Sequence, residues 1–179
     1  MDNPLRDRQT PNALAASQQV IEIANKISDF ERLSAAIGAD LAALDSAKVP
    51  LDWRESEVIG QLRFGFAAGT SDLPLLEGEL KTRVYAVCQR CLQPMQLELE
   101  AQLKLLLAEG EYDDFEVWEL EHETLEVADI VDEVLVMAIP ISALHADAER
   151  CVEFDDTPIA TKDTTRPFAD LRRQMKQKQ

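Results

Sequence analysis

Cysteine, histidine and glycine are scarce in this 179-residue chain, which has three, two and six of them, and no Lys or Arg occurs between Lys104 and Arg150. Each scarcity excludes something. An odd, small number of cysteines, two of them only three positions apart, argues against a secreted disulfide framework and for a reducing compartment, the cytoplasm. No segment approaches the roughly 18 uninterrupted apolar residues of a membrane helix, and residues 1–19 hold no run of signal-peptide type. A membrane is therefore not an expected partner. There is no Gly-rich phosphate loop, no serine elbow and no HExxH pattern. His122 stands alone among acids, where a histidine is a solvated side chain far more often than a general base. The chain does not read as an enzyme.

Charge of one sign is also short: 18 basic residues face 34 acidic ones, for a net charge of -16. Such a surface repels nucleic acid and anionic membrane unless positive charge is segregated. It is partly segregated, because the last eighteen residues carry Lys162, Arg166, Arg172, Arg173, Lys176 and Lys178 against only Asp163 and Asp170. Arg172, Arg173, Lys176 and Lys178 are the candidate contacts to RNA phosphates.

The length suits one core plus tails. Residues 1–18, with Pro4, Pro11 and mixed charges, read as a disordered leader. Val20, Ile21 and Ile23 suggest a short strand ending near Ser28 or Asp29, either of which can cap a helix over 30–44 with Leu33, Ile37, Leu41 and Leu44 on one stripe. From Glu57 the period becomes two. Val58, Leu62, Phe64 and Phe66 alternate with polar residues, then Leu76, Leu80, Thr82 and Val84, then Met95, Leu97, Leu99, Leu103, Leu105 and Leu107. This is an antiparallel β-meander, one that could curl into a barrel. The acidic stretch 109–126 reads as a solvated loop holding a short strand, or as an anionic surface for a basic protein. Val127, Ile130, Val131, Val134, Leu135 and Ala138 form the clearest helical stripe, which Pro140 stops. The expected fold is α+β: one domain over 19–154 with two packing helices, then a flexible polar segment and basic tail over 155–179.

Between the two longest alternating segments lies Cys88-Gln89-Arg90-Cys91-Leu92-Gln93-Pro94. Two thiolates at this spacing on a sharp bend can point at one soft cation, which is half of a structural zinc site. Only His145 and Cys151 are placed to complete a Cys-Cys-His-Cys set; inert intracellular thiols are the plainer alternative. A dithiol oxidoreductase would need a strand leading into a helix N-terminus, whereas Cys91 leads through Pro94 into another strand.

These residues resemble the YceD-like family. The resemblance rests on Cys88-x-Arg90-Cys91-x-x-Pro94 between strands, a helix ending in Met137-Ala138-Ile139-Pro140, His145 five residues after that proline, Cys151, and the closing Arg166-Pro167-Phe168-Ala169-Asp170-Leu171 followed by basic residues. It implies a ribosome-biogenesis factor without catalytic activity, acting in synthesis, processing or stability of the large-subunit (23S) ribosomal RNA. The implied partners are pre-ribosomal RNA, a large-subunit ribosomal protein or an assembly factor. A zinc- or redox-responsive regulatory module using Cys88, Cys91, His145 and Cys151 is the alternative.

Overall fold

In the computed structural model, which describes residues 4–68, 72–113, 115–120, 122–146 and 151, four strands succeed one another as antiparallel neighbours. They are β1 (Val20–Lys26), β2 (Glu57–Phe66), β3 (Pro74–Val87) and β4 (Pro94–Leu107). A fifth, β5 (Glu116–Trp118), joins the far edge parallel to β4, so the sheet is mixed and its order follows the chain. The sheet is open. The barrel expectation is corrected: β1 and β5 stand at opposite edges and do not pair with each other.

Alternation decides the two faces. Ile21, Ile23, Val58, Leu62, Phe64, Leu76, Leu80, Val84, Leu99, Leu103 and Leu107 share one core with α2 (Glu31–Leu41) and α3 (Val127–Ala138). α2 contributes Leu33, Ile37 and Leu41, and α3 contributes Val127, Ile130, Val131 and Leu135, all buried at helical spacing. Two glycines let β2 and β3 lie close. A Cβ on Gly60 would sit 2.3 Å from the Glu79 carbonyl oxygen, and one on Gly78 would sit 2.4 Å from that of Gln61. Their registered partners are Leu80 and Leu62, whose side chains use the space.

The opposite face is polar and pairs its own charges. Lys81 with Glu100, Arg83 with Glu98 and Lys104 with Glu77 are registered partners within 3.4, 2.7 and 3.6 Å. Exposed pairs of this kind are each worth about 1 kcal/mol or less. At one end of this face Leu75 and Leu106 are buried, because Tyr112, Phe115 and Val117 fold over them.

Two expectations need correcting. The supposed leader folds from residue 4 on. Leu5 and Leu14 are fully buried in the core, and α1 (Pro11–Ala16) starts at Pro11 with the Thr10 hydroxyl accepting from the Ala13 N–H. Nor do Ser28 and Asp29 cap α2. The Asp29 carboxylate accepts from the Lys26 N–H, while the first turn of α2 donates its Arg32 and Leu33 N–H groups to the buried carboxylate of Asp132 on α3, at 2.9 and 2.7 Å. One helix thus caps the other across 100 residues of sequence. Pro167, Phe168, Arg172, Arg173, Lys176 and Lys178 lie outside the described residues.

Candidate metal centre

The β3–β4 connection is short because it closes on itself. Cys88 N–H donates to the Gln93 carbonyl at 3.0 Å and Leu92 N–H donates to the Cys88 carbonyl at 2.8 Å, with Leu92 held at φ +52. A leucine in the left-handed region is uncommon and marks a turn fixed by its surroundings. Those surroundings are specific. Val87 lies beyond the last β2 partner, Thr82 with Val58, and its N–H donates instead to the Asp40 carboxylate on α2 at 2.7 Å. Pro94 opens β4, and the Gln89 N–H crosses to the Ala143 carbonyl at 2.9 Å, tying the turn to the segment after α3. Pro140 ends that helix, and the chain then runs past the turn.

This arrangement brings together every residue of the expected ligand set. The ligand atoms of Cys88, Cys91, His145 and Cys151 all lie within 4.8 Å of one another. Cys91 Sγ and Cys151 Sγ lie 3.5 and 3.6 Å from His145 Nδ1, and Cys88 Sγ lies 4.0 Å from Cys151 Sγ. A tetrahedral zinc with its usual bond lengths has S···S edges of roughly 3.8 Å and S···N edges of roughly 3.6 Å. The three printed separations are close to these edges, so the four side chains are near enough together to hold one such ion. Cys88 and Cys91 are buried; His145 and Cys151 are half-buried.

The electrostatics favour a thiolate at the inner corner. Burial pushes the Cys88 thiol up, but the backbone N–H groups of Cys91, His145 and Arg90, and then the Cys91 thiol, stabilise its charged form and bring it from 9.0 down to about 5. Cys151 is raised, first by burial and then by the Cys91 and Cys88 thiols beside it. One ligand is thus prepared as an anion, and the next is held back by its neighbours until a cation arrives. Arg90, a motif residue whose charge favours thiolate formation, places Nη1 3.9 Å from Cys151 Sγ. Three thiolates and a neutral imidazole around a dication would leave one negative charge, facing this guanidinium.

Asp40 and Gln89 hold the turn and are not visible as site residues in the sequence, because their partners are backbone groups distant in the chain. His122 is exposed and stays apart from the centre, in a cleft with Glu119, Glu126 and Asp129. Among the described residues no helix is long and apolar enough to cross a membrane.

Fold and site together define an α+β domain built on an open, mostly antiparallel sheet, with a Cys-Cys-His-Cys cluster joining the tip of its longest hairpin to the segment after its last helix. The family described as large ribosomal RNA subunit accumulation protein YceD matches residues 76–173, and the chain belongs to it. The match spans both halves of the cluster. No curated protein and no solved structure matches the chain.

Proposed function

We propose that the protein is a non-enzymatic ribosome-biogenesis factor of the cytoplasm that supports synthesis, processing or stability of large-subunit ribosomal RNA, and that its Cys88–Cys91–His145–Cys151 centre holds a structural zinc. The family match over residues 76–173 carries the first part. The convergence of three thiols and one imidazole within 4.8 Å of one another supports the second. Bound there, zinc would supply a cross-link, since all four positions are taken by protein ligands and none is left open for water or substrate. The net charge of -16, with Lys81, Arg83 and Lys104 each beside a glutamate, favours contact with a basic large-subunit protein over direct binding of RNA by the sheet. Direct RNA contact then falls to Arg172, Arg173, Lys176 and Lys178. Depletion of the protein tests the reading: mature large-subunit rRNA should fall or its precursor ends accumulate, and unchanged levels and ends would refute it.

The 4.0 Å approach of Cys88 and Cys151 sulfurs supports a second reading, a zinc- or redox-responsive module. Metal analysis and thiol titration of protein purified without chelator separate the two. Stoichiometric zinc that survives mild oxidant supports the structural role, whereas release of zinc with loss of two thiols supports the responsive one.

A further inference from the structure

The sheet ends in two unequal edges. β5 is three residues long and offers little backbone to another strand, whereas β1 runs for seven in unbroken register with β2, with neither proline nor glycine to blunt it. Its outer row of backbone groups can be identified. Phe64 N–H donates to the Gln19 carbonyl at 2.9 Å and Ile27 N–H to that of Ser56 at 3.0 Å, so the odd positions of β1 bond β2 and the even ones point away. At one end of this outer row the Lys26 N–H is taken by the Asp29 carboxylate. The N–H and C=O groups of Val20, Glu22 and Ala24 have no partner among the described residues, and all three residues are exposed.

We propose that this edge takes up an extended basic segment of a large-subunit ribosomal protein as a sixth strand. The partner's class rests on the ribosome-biogenesis reading; the free edge and its charge do not. An added strand exchanges backbone hydrogen bonds with Val20, Glu22 and Ala24 over about five residues and sets alternate side chains on the polar face beside Glu22. That ground is acidic. A hollow of about 360 Å3 there is lined in part by Glu22, Ile59, Gln61, Glu79 and Lys81. Lys81 is taken by Glu100, Glu22 accepts from the Gln61 amide, and Glu79 forms no ion pair among the described residues, so the charge left over is negative. A lysine or arginine facing Glu22 complements it. A second copy does not: antiparallel pairing of two β1 edges through all three free residues sets the two Glu22 side chains against each other, between chains of net charge -16. The same charge repels RNA.

Amide NMR of the full-length protein, titrated with a synthetic peptide of alternating lysine and valine, provides the test, with a peptide of alternating glutamate and valine as control. The lysine peptide is expected to shift the Val20, Glu22 and Ala24 amides and slow their exchange with solvent, and the glutamate peptide to leave them unchanged. Ala24→Pro removes an outward N–H and no bond to β2, and should weaken binding at least about tenfold. Glu22→Lys keeps the backbone intact and should weaken it about fivefold. No response at these amides, equal response to both peptides, or undiminished binding by Glu22→Lys or by a folded Ala24→Pro chain would overturn the proposal. Shifts that grow with protein concentration alone would overturn it in favour of a second copy. In cells depleted of the protein, the folded Ala24→Pro chain should fail to restore mature large-subunit rRNA; full rescue would overturn the edge as docking site and leave the biogenesis reading standing. Unaltered rRNA on depletion would sink that reading, and the peptide titration would still decide the edge.

Discussion

Removing the metal should loosen one end of the protein and leave the rest folded. The core that unites the sheet with α2 and α3 contains none of Cys88, Cys91, His145 or Cys151, so nothing in it depends on the ligand set. For a site bound at a thousandfold excess over its Kd, metal contributes about 4 kcal/mol by mass action, which corresponds to about 8–16 °C in Tm for a chain of this size. The local signature is sharper than the global one. The N–H groups of Cys88, Gln89 and Leu92 are bonded only to Gln93, Ala143 and Cys88 carbonyls around the turn, and should exchange up to about a thousandfold faster after chelation. Amides of α2 and α3 that exchange through local fluctuations should change little, and only those that exchange by global unfolding should follow the loss of overall stability. Hydrogen exchange with mass spectrometry, run on metal-loaded and chelated protein beside far-ultraviolet circular dichroism, reads both. Loss of helix signal on chelation would show that the centre is needed for the whole fold. Unchanged exchange at the turn, in protein shown to lose zinc, would show that the metal clamps nothing.

Asp132→Ala leaves two N–H groups of α2 without their carboxylate and should destabilise the protein by about 2–4 kcal/mol in urea titration; wild-type stability would show that α2 does not rely on α3 for its cap. Gly78→Ala places a Cβ 2.4 Å from the Gln61 carbonyl oxygen and should lower stability by about 2–4 kcal/mol, while Gly65→Ala, with nothing within 4 Å, should be within about 1 kcal/mol of neutral. Equal effects at the two glycines would contradict the close approach of β2 and β3. Neutralising Arg172, Arg173, Lys176 and Lys178 should reduce the slope of log affinity against log salt for ribosomal particles by about 0.7–0.9 for each phosphate that the tail no longer neutralises; an unaltered slope would count against tail binding to RNA.

What the sequence revealed and what it hid divide along contact range. β2, β3 and β4 were legible because one face of each is buried, so the period of two is written in Val58, Leu62 and Phe64 or Leu99, Leu103 and Leu107. α3 was legible for the same reason at period 3.6. The leader was misread because Leu5 stands alone beside Pro4 and charges and Leu14 is the one large side chain in a short alanine run, and their burial depends on the sheet they cover. Leu75 and Leu106, on the polar face, are buried beneath Tyr112, Phe115 and Val117. Whether the sheet's edges meet, and the cap from Asp132, depend on residues so far apart in sequence that no local pattern records them. The ligand residues could be named because soft donors are rare here, but the role of Arg90 beside Cys151 required the fold.

The need for a cross-link at this end follows from what is packed there. Val84 and Val87 are the last residues of β3 in the main core; beyond them Cys88, Cys91 and Ala143 are buried, but among the described residues they join neither apolar cluster. Leu92, Ile141 and Leu144 point outward, so the junction gains little from the hydrophobic effect. Its contacts among the described residues include the Gln89 to Ala143 backbone bond, the Asp40 carboxylate on Val87, Lys48 donating to the Gln93 side chain, the thiol–thiol and thiol–imidazole contacts of the cluster and the small turn's own hydrogen bonds. Each is worth on the order of 1 kcal/mol, or somewhat more where a carboxylate is involved, too little to hold Leu92 in a left-handed conformation and fix the segment after α3 together. The metal we propose, bound by four side chains from both segments, would supply the missing constraint without apolar volume. It would also account for thiols at the tip of a long hairpin rather than in the body, where the leucines already suffice.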